Sequence, residues 1–351
     1  MNKNYFKYLM QSHKNINIFL LITNLILTTF NFLLSHPRPF NSVNALSISS
    51  ALLLIEALTL PLLIFFYRFS KRASDTYFSL PLNRKELYIT SIVYMAVVIV
   101  GIHIITILPI LVNIALNFID LLSFILTALK YLVIVIAVVI ATLLIASAII
   151  FQANTLFDAI IIEIIYLLLP FLLATTVSTF GSNMIVGYEV QAYDIMTYFF
   201  LPTLFFNATA NVFTYNANQI VASSDPNIYL FAGIIIVVGL IAGTIAYYDI
   251  VKHKVESTEQ ISNKFFAYPF LITFVAVCLI SVTISSTLNF NEPMFANISE
   301  TLMWILVVFV AYQIMCFVYR RNVRISKKSL IIFIIAIVFN YLLATASATP
   351  R

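Results

Sequence analysis

The chain is a series of long apolar runs separated by short polar stretches. Nine runs come close to the roughly 20 residues that an α-helix needs to cross the hydrocarbon core of a bilayer. They lie at about 16–35, 47–67, 88–113, 121–150, 156–179, 228–250, 265–287, 301–319 and 329–347. The pattern predicts an all-α, multi-pass membrane protein, in which Lys130 interrupts the fourth run near its start.

Composition points to the same class. The chain has 351 residues, of which 62% are hydrophobic and 9% are charged, whereas about a quarter are charged in an ordinary soluble domain. Cys278 and Cys316 lie in apolar runs, where a thiol packs like a small apolar side chain. The net charge of +5 then reports orientation in a membrane, and we expect no nucleic-acid partner.

The distribution of basic residues sets the orientation. Lys and Arg concentrate in segments 1–15, 68–87, 251–264 and 320–328. If the nine helices cross the membrane in alternating directions, these four segments lie on one side of it. Loops with acidic residues such as Asp120 and Glu189 then lie on the other side. Because loops rich in Lys and Arg stay in the cytoplasm, we expect a cytoplasmic N-terminus and an external C-terminus.

The longest loop, 180–227, falls on the outer side and contains "YFFLPTLFFNATANVFTY". Pro202 and several polar residues interrupt this stretch, so we expect short helices that dip into the outer leaflet rather than full crossings. Its aromatic side chains either anchor the loop at the interface or form a hydrophobic outer gate. These residues are Phe199, Phe200, Phe205, Phe206 and Phe213.

The stretch "SLPLNRKEL" between the second and third runs has the signals of a helix start. Asn83 suits the N-cap position and Glu86 stands three residues later, as in a capping box. Pro81 keeps the residue before it out of helical geometry. The preceding residues 68–80 mix cations with Tyr77 and Phe78, which predicts a short amphipathic helix at the membrane surface.

Three ionisable residues fall inside the apolar runs: Glu56, Lys130 and Glu163. A charge at mid-bilayer costs at least about 2.5–3.5 kcal/mol, so such residues either find partners or line a water-filled path. One interpretation is a polar substrate path. The other is packing, through a Glu56–Lys130 ion pair or a protonated Glu56 bonded to a neighbouring helix.

Gly239 and Gly243 form a G-x-x-x-G pair in the sixth run. Such pairs let helix backbones approach closely. The contact lies either within this chain or between two subunits, and we favour the first.

Motifs of enzymatic chemistry are not found in the sequence. No glycine fits the phosphate-binding loop G-x-x-x-x-G-K-[ST]. The four histidines are far apart and lack the spacing of metal ligands. We therefore expect neither an enzyme nor a cofactor bound by this chain.

The amphipathic segment followed by "SLPLNRKEL" resembles the coupling region of ABC-2 type transporter permeases. Residues 1–250 would be the six-helix core of that family, with an outer re-entrant loop at 180–227. Residues 251–351 would be an extension of two or three further helices, as in a Gram-positive branch that includes antibiotic-responsive permeases and exporters of amphipathic peptides such as phenol-soluble modulins. The resemblance implies a coupling region formed by Arg68, Lys71, Arg72, Tyr77, Phe78, Leu80, Pro81, Asn83, Arg84, Lys85 and Glu86.

This resemblance implies a permease subunit in a bacterial plasma membrane. It would pair with a second permease, identical or homologous, and with ABC ATPase subunits that bind ATP and Mg. The substrate would be hydrophobic or amphipathic, such as a peptide toxin, an antimicrobial peptide or an antibiotic, moved outward. The alternative is an ion-coupled secondary transporter or lipid flippase in which Glu56 and Glu163 bind the ion.

Overall fold

The computed structural model is dominated by helices. It describes residues 2–34, 39–116, 118, 120–184, 198, 200–216, 219–223, 227–253, 255–260, 262, 264–287, 298–320 and 327–347. Within these residues lie twelve α-helices, three short 3-10 helices and one antiparallel β-hairpin. The hairpin was not anticipated by the all-α prediction.

The elements follow one another with short connections. The short helices are α1 Lys3–Ser12, α4 Lys71–Phe78 and α8 Leu201–Thr209. The long helices are α2 Lys14–Leu34, α3 Pro39–Ile64, α5 Arg84–Leu116, α6 Leu121–Ile150, α7 Leu156–Met184, α9 Asn227–Lys252, α10 Tyr268–Thr287, α11 Ile298–Arg320 and α12 Lys327–Ser347. The 3-10 helices are Phe66–Phe69, Ala210–Val212 and Val255–Ser257, and the hairpin pairs β1 Phe213–Asn216 with β2 Gln219–Ala222.

Each predicted apolar run coincides largely with one long helix, and the run 121–150 matches α6 at both ends. Six helices are long and apolar enough to cross a bilayer within the described residues. Their apolar parts are Leu46–Ile64, Arg84–Leu116, Leu121–Ile150, Leu156–Thr179, Asn227–Lys252 and Ser299–Phe317. The structure therefore supports a multi-pass membrane protein, and crossing by α2, α10 and α12 stays a prediction.

Contacts divide the chain into two compact units. Unit 1 holds Met1–Ala159 and Leu201–Glu259, and unit 2 holds Ile160–Phe200 and Gln260–Arg351. Most of α7 thus groups with the C-terminal helices, unlike in the division at residue 250 drawn from the sequence. In unit 2, α10 packs against α11 and α12, and the buried Ser281 hydroxyl donates to Asn340 Oδ1 at 2.5 Å.

Unit 1 is built around the contact between α6 and α9. A Cβ atom at Gly239 would lie 2.6 Å from Ala141 Cβ, and one at Gly243 would lie 3.0 Å from the Leu144 side chain. The two helix backbones can approach this closely because glycine has no side chain. The G-x-x-x-G pair therefore packs within the chain, as the sequence analysis favoured.

Several basic segments meet at one end of unit 1, which we call the basic end. The Asn2 N–H donates to Thr90 Oγ1 at 3.0 Å and so fixes α1 against the start of α5. Arg84 donates to the His253 carbonyl oxygen at 2.6 Å, which joins the start of α5 to the end of α9. The N-terminal segment, the α3–α5 connection and the segment after α9 thus lie together, as alternating helices require. That this end faces the cytoplasm stays a prediction.

We expect Gly239→Ala to destabilise the protein, because the new methyl group meets α6 backbone atoms at 2.7 and 2.8 Å. Overpacking of this kind costs about 1–3 kcal/mol. Gly233→Ala is the matched control in the same helix, since a Cβ there meets nothing within 4 Å and alanine favours helix by about 1 kcal/mol. Thermal unfolding midpoints in one detergent should fall for Gly239→Ala and stay or rise for Gly233→Ala. Equal midpoints would contradict the packing described.

Candidate functional site

The α3–α5 connection forms a short helix on the surface of the basic end. Helix α4 exposes Lys71, Arg72 and Asp75 and buries Ser74, so the predicted amphipathic helix is present. Exposed residues follow it up to α5. The Leu87 N–H donates to the Asn83 carbonyl oxygen at 3.0 Å, which places Asn83 at the predicted N-cap position.

The inner face of α4 is held by aromatic packing. The Tyr67 and Tyr77 rings stack with centroids 4.1 Å apart, and Phe78 meets Tyr67 edge-on. The Ser74 hydroxyl donates to the Tyr67 carbonyl oxygen at 2.9 Å. Burial raises the pKa of both Tyr67 and Tyr77 above the ordinary value. The helix is thus fixed to the chain that precedes it.

Arg84 connects three elements of the basic end. Its guanidinium Nη1 donates to the carbonyl oxygens of Val251 and His253 at 3.2 and 2.6 Å, at the C-terminal end of α9. The same group lies 4.4 Å from the centre of the Phe78 ring. A cation is favoured where the last carbonyl groups of a helix lack partners. Arg84 therefore braces α4 and α5 against the end of α9.

Arg68 lies in the interior rather than on the surface. It is 0% exposed, donates from Nη2 to the Phe151 carbonyl oxygen at 3.2 Å and lies 4.1 Å from the Phe151 ring centre. Burial lowers the pKa of Arg68 to about 10, against the opposing effect of Asp249, so the group is charged at neutral pH. Arg68 was predicted to belong to the coupling residues. Its complete burial leaves it no surface for a partner.

His253 lies beside Arg68 and its tautomer follows from that contact. The Arg68 Nη2 atom is 3.3 Å from His253 Nδ1. Because arginine can only donate, Nδ1 accepts, and the proton of the neutral ring lies on Nε2, 3.3 Å from Thr258 Oγ1. His253 is buried and joins the α3–α5 connection to the segment after α9. Sequence spacing gave no sign of this role.

The predicted coupling residues thus fall into three groups. Six are exposed, and we call them the α4 face: Lys71, Arg72, Leu80, Pro81, Asn83 and Lys85. Four are half-buried: Tyr77, Phe78, Arg84 and Glu86. Arg68 is buried. The α4 face is basic at its start and end, with the apolar Leu80 and Pro81 between. Beneath it, Arg84 donates to carbonyl groups at the end of α9, and Arg68 donates to the carbonyl oxygen of Phe151 just after α6.

The predicted ion pair between Glu56 and Lys130 is wrong. Glu56 is 6% exposed and its Oε1 accepts a hydrogen bond from Asn24 Nδ2 of α2. Lys130 lies on an exposed face of α6. Glu56 is on the side of α3 that meets α2, and its carboxyl group is bonded there. The other packing interpretation, a bond from Glu56 to a neighbouring helix, agrees with the structure.

Glu163 is the third ionisable residue of the predicted substrate path. It is on α7 within unit 2, is 5% exposed, and its Oε1 makes no hydrogen bond to any residue that the structure describes. Glu56 and Lys130 belong to unit 1. The three residues proposed for a substrate path are therefore not brought together by the contacts within either unit.

A buried polar group in unit 1 was missed by the sequence analysis. His103 is 2% exposed, with Nδ1 3.2 Å from Ser49 Oγ and Nε2 2.7 Å from Tyr131 Oη. These contacts join α3, α5 and α6. Single polar residues on three distant helices leave no local pattern in a sequence. The described part of the chain holds no cluster of His, Cys, Asp or Glu able to bind a metal.

The opposite end of unit 1 is closed by aromatic packing. Phe213 of β1 is 0% exposed and contacts the rings of Phe118, Phe124 and Tyr131. Phe205 is 1% exposed on α8, which packs against α3, α6 and α9. The predicted short helix in the outer loop is therefore present as α8.

Of the proposed gate residues, Phe205 is part of the core, Phe206 is exposed and Phe200 is half-buried. Phe199 lies outside the described residues. Burial of Phe205 favours a packing role for this residue over a movable lid.

An apolar groove of about 440 Å³ opens on the surface of α5 and α6. It is lined by Ile92, Val93, Ala96, Val97, Val100, Gly101, Ile104, Ile136 and Ile140. A Cβ atom at Gly101 would meet nothing within 4 Å. The groove can hold an acyl chain or an apolar side chain, and its lining provides no charged group.

We expect Arg84→Met to destabilise the basic end, because the carbonyl groups of Val251 and His253 lose their charged donor. Hydrogen bonds from charged groups contribute about 1.5–3 kcal/mol. Arg72→Met is the control, since Arg72 is exposed on α4 and surface changes stay within about 0.5 kcal/mol. Thermal unfolding midpoints measure both. An equal effect of the two variants would show that the bonds of Arg84 to the end of α9 do not stabilise the basic end.

Comparison of the chain with protein-family models, with curated proteins and with solved structures gives no match. The candidate site therefore rests on the residues and contacts of this chain alone.

Proposed function

We propose that this chain is the membrane subunit of an ATP-driven ABC exporter that moves a hydrophobic or amphipathic substrate out of the cell. The observation that carries the proposal is the α4 face, an exposed surface formed by α4 and the residues up to the start of α5, next to two arginines that bond to the ends of long helices. A surface of this kind suits a soluble partner that pushes or pulls on the membrane subunit.

Rigidity beneath the α4 face supports this role. Arg84 ties the start of α5 to the last carbonyl groups of α9, and the Arg68 guanidinium ties the preceding turn to Phe151 at the end of α6. A loop that only supplied positive charge for orientation would need none of these bonds. A displacement of α4 would instead be passed to α6 and α9, which pack along each other through Gly239.

The energy source would lie in other chains. The sequence has no phosphate-binding loop, so ATP and Mg would bind to partner ATPase subunits. A second permease, identical or homologous, would complete the transport path. The apolar groove on α5 and α6 suits the apolar part of an amphipathic substrate, such as a peptide toxin, an antimicrobial peptide or an antibiotic.

A second candidate function is ion-coupled transport or lipid flipping. The observation that favours it is Glu163, a carboxylate buried within an apolar helix whose Oε1 makes no bond to the described residues. The two proposed functions differ in the energy source that drives transport. Export that survives ATP depletion and stops when the proton gradient collapses would favour the ion-coupled transporter.

We expect Arg72→Glu combined with Leu80→Asp to remove ATPase binding without loss of the folded membrane subunit. Both side chains are exposed on the α4 face, so a change of charge there costs little stability. The chain is purified from its native membrane in mild detergent, and ATP hydrolysis and copurifying chains are measured. The original chain should bring down an ATP-hydrolysing subunit and the double variant should not.

Lys328→Glu is the control, because Lys328 is an exposed cation in unit 2 and away from the α4 face in sequence. This variant should retain the ATPase. The proposal fails if the original chain brings down no ATP-hydrolysing subunit, or if the double variant retains as much of it as the control.

A further inference from the structure

Glu259 has a backbone conformation that needs support from its surroundings. Among the described residues other than glycine, it is the one with a positive φ, 67°. Side chains other than glycine are disfavoured there, and such positions persist where neighbouring contacts hold them. The Glu259 N–H donates to the Asn154 carbonyl oxygen at 3.1 Å, in the turn between α6 and α7.

The Glu259 side chain caps α4 from a distance in the sequence. Its Oε1 accepts the N–H of Lys71, the first residue of α4, at 3.0 Å. Ser70 occupies the N-cap position of α4 with extended backbone, but its side chain makes no capping bond. The first N–H groups of a helix need acceptors from outside, and a carboxylate there is also favoured by the helix dipole. Glu259 supplies an acceptor for the first of these N–H groups.

Through Glu259, the cap connects α4 to a segment far away in the sequence. Glu259 is the last residue of unit 1, and unit 2 resumes at Gln260. Its main chain is bonded to the α6–α7 turn and its side chain to α4. A local cap from Ser70 would have stabilised α4 without any tie to the C-terminal part of the chain.

We infer that Glu259 is a positioning residue for the α4 face. It holds this face in place by capping α4 from the segment that follows α9. The carboxylate orders the first turn of α4, including Lys71 and Arg72. Its importance for partner binding rests on the proposed function, whereas the cap itself can be measured in the purified chain without a partner.

Glu259→Gly tests the cap, because glycine fits the positive φ and removes the side chain that carries the carboxylate. Amide hydrogen exchange is followed by mass spectrometry on the full chain in detergent. Loss of a cap should speed exchange of the first turn of α4, residues 71–74, by about five-fold. Unchanged exchange there would overturn the inference. Faster exchange throughout α5 and α6 would also overturn it, because it would mean general destabilisation.

Three further variants sharpen the test. Glu259→Gln keeps an acceptor oxygen and should leave exchange in α4 within about two-fold of the original. Glu256→Ala removes an exposed carboxylate from the same segment and should have no effect on α4. Adding Ser70→Asp to Glu259→Gly provides a local cap and should restore slow exchange. Exchange that stays fast in this double variant would show that Glu259 does not act as a cap.

Copurified ATPase activity is measured for the same variants. Glu259→Gly should bring down less ATPase than the original chain, and Glu259→Gln about as much. If the original chain brings down no ATPase, the proposed function fails and the exchange data alone decide the cap. If the ATPase is present and Glu259→Gly retains it fully despite a loosened α4, the positioning role is overturned.

Discussion

The bilayer offers the chain no hydrogen-bond partner, and this constraint organises the molecule. Backbone groups inside the hydrocarbon must bond within their own helix, so the apolar runs become long helices, and several polar side chains among them bond to neighbouring helices. Asn24 donates to Glu56 across α2 and α3, and His103 contacts Ser49 and Tyr131 across three helices. Polar groups able to meet other molecules are left at the helix ends, and the basic end gathers many of them.

Three arginines at the basic end have different roles because they are buried to different degrees. Arg72 is exposed and available to a partner, whereas Arg68 is enclosed and bonded to the Phe151 carbonyl oxygen. Arg84 lies between these extremes and donates to carbonyl groups at the end of α9. Removing a cation from water is costly unless its bonds compensate. Beneath α4, Arg68 is compensated in part by its bond to the Phe151 carbonyl oxygen and by its contact with the Phe151 ring.

The sequence predicted features that depend on local pattern and failed where rotation about a helix axis decides. Run length located α6 at both ends, and residue order placed Asn83 before α5. The predicted Glu56–Lys130 ion pair does not form. Successive side chains on a helix point about 100° apart, so two residues at a similar depth in the membrane can still face different neighbours. Arg68 was grouped with the exposed Lys71 and Arg72 because all three are cations close in sequence, but the 3-10 helix Phe66–Phe69 buries Arg68 together with Tyr67 and Phe69.

The cap on α4 shows what a contact between distant residues can do that a local one cannot. Ser70 is a residue type that usually caps its own helix, yet it makes no such bond here, and the N–H of Lys71 is paired with a residue 188 positions later. A local cap would keep α4 ordered whatever the rest of the chain did. Because Glu259 provides the cap, the order of the α4 face depends on the conformation of the segment after α9. A rearrangement that carries Glu259 away from α4 removes the acceptor from the N–H of Lys71.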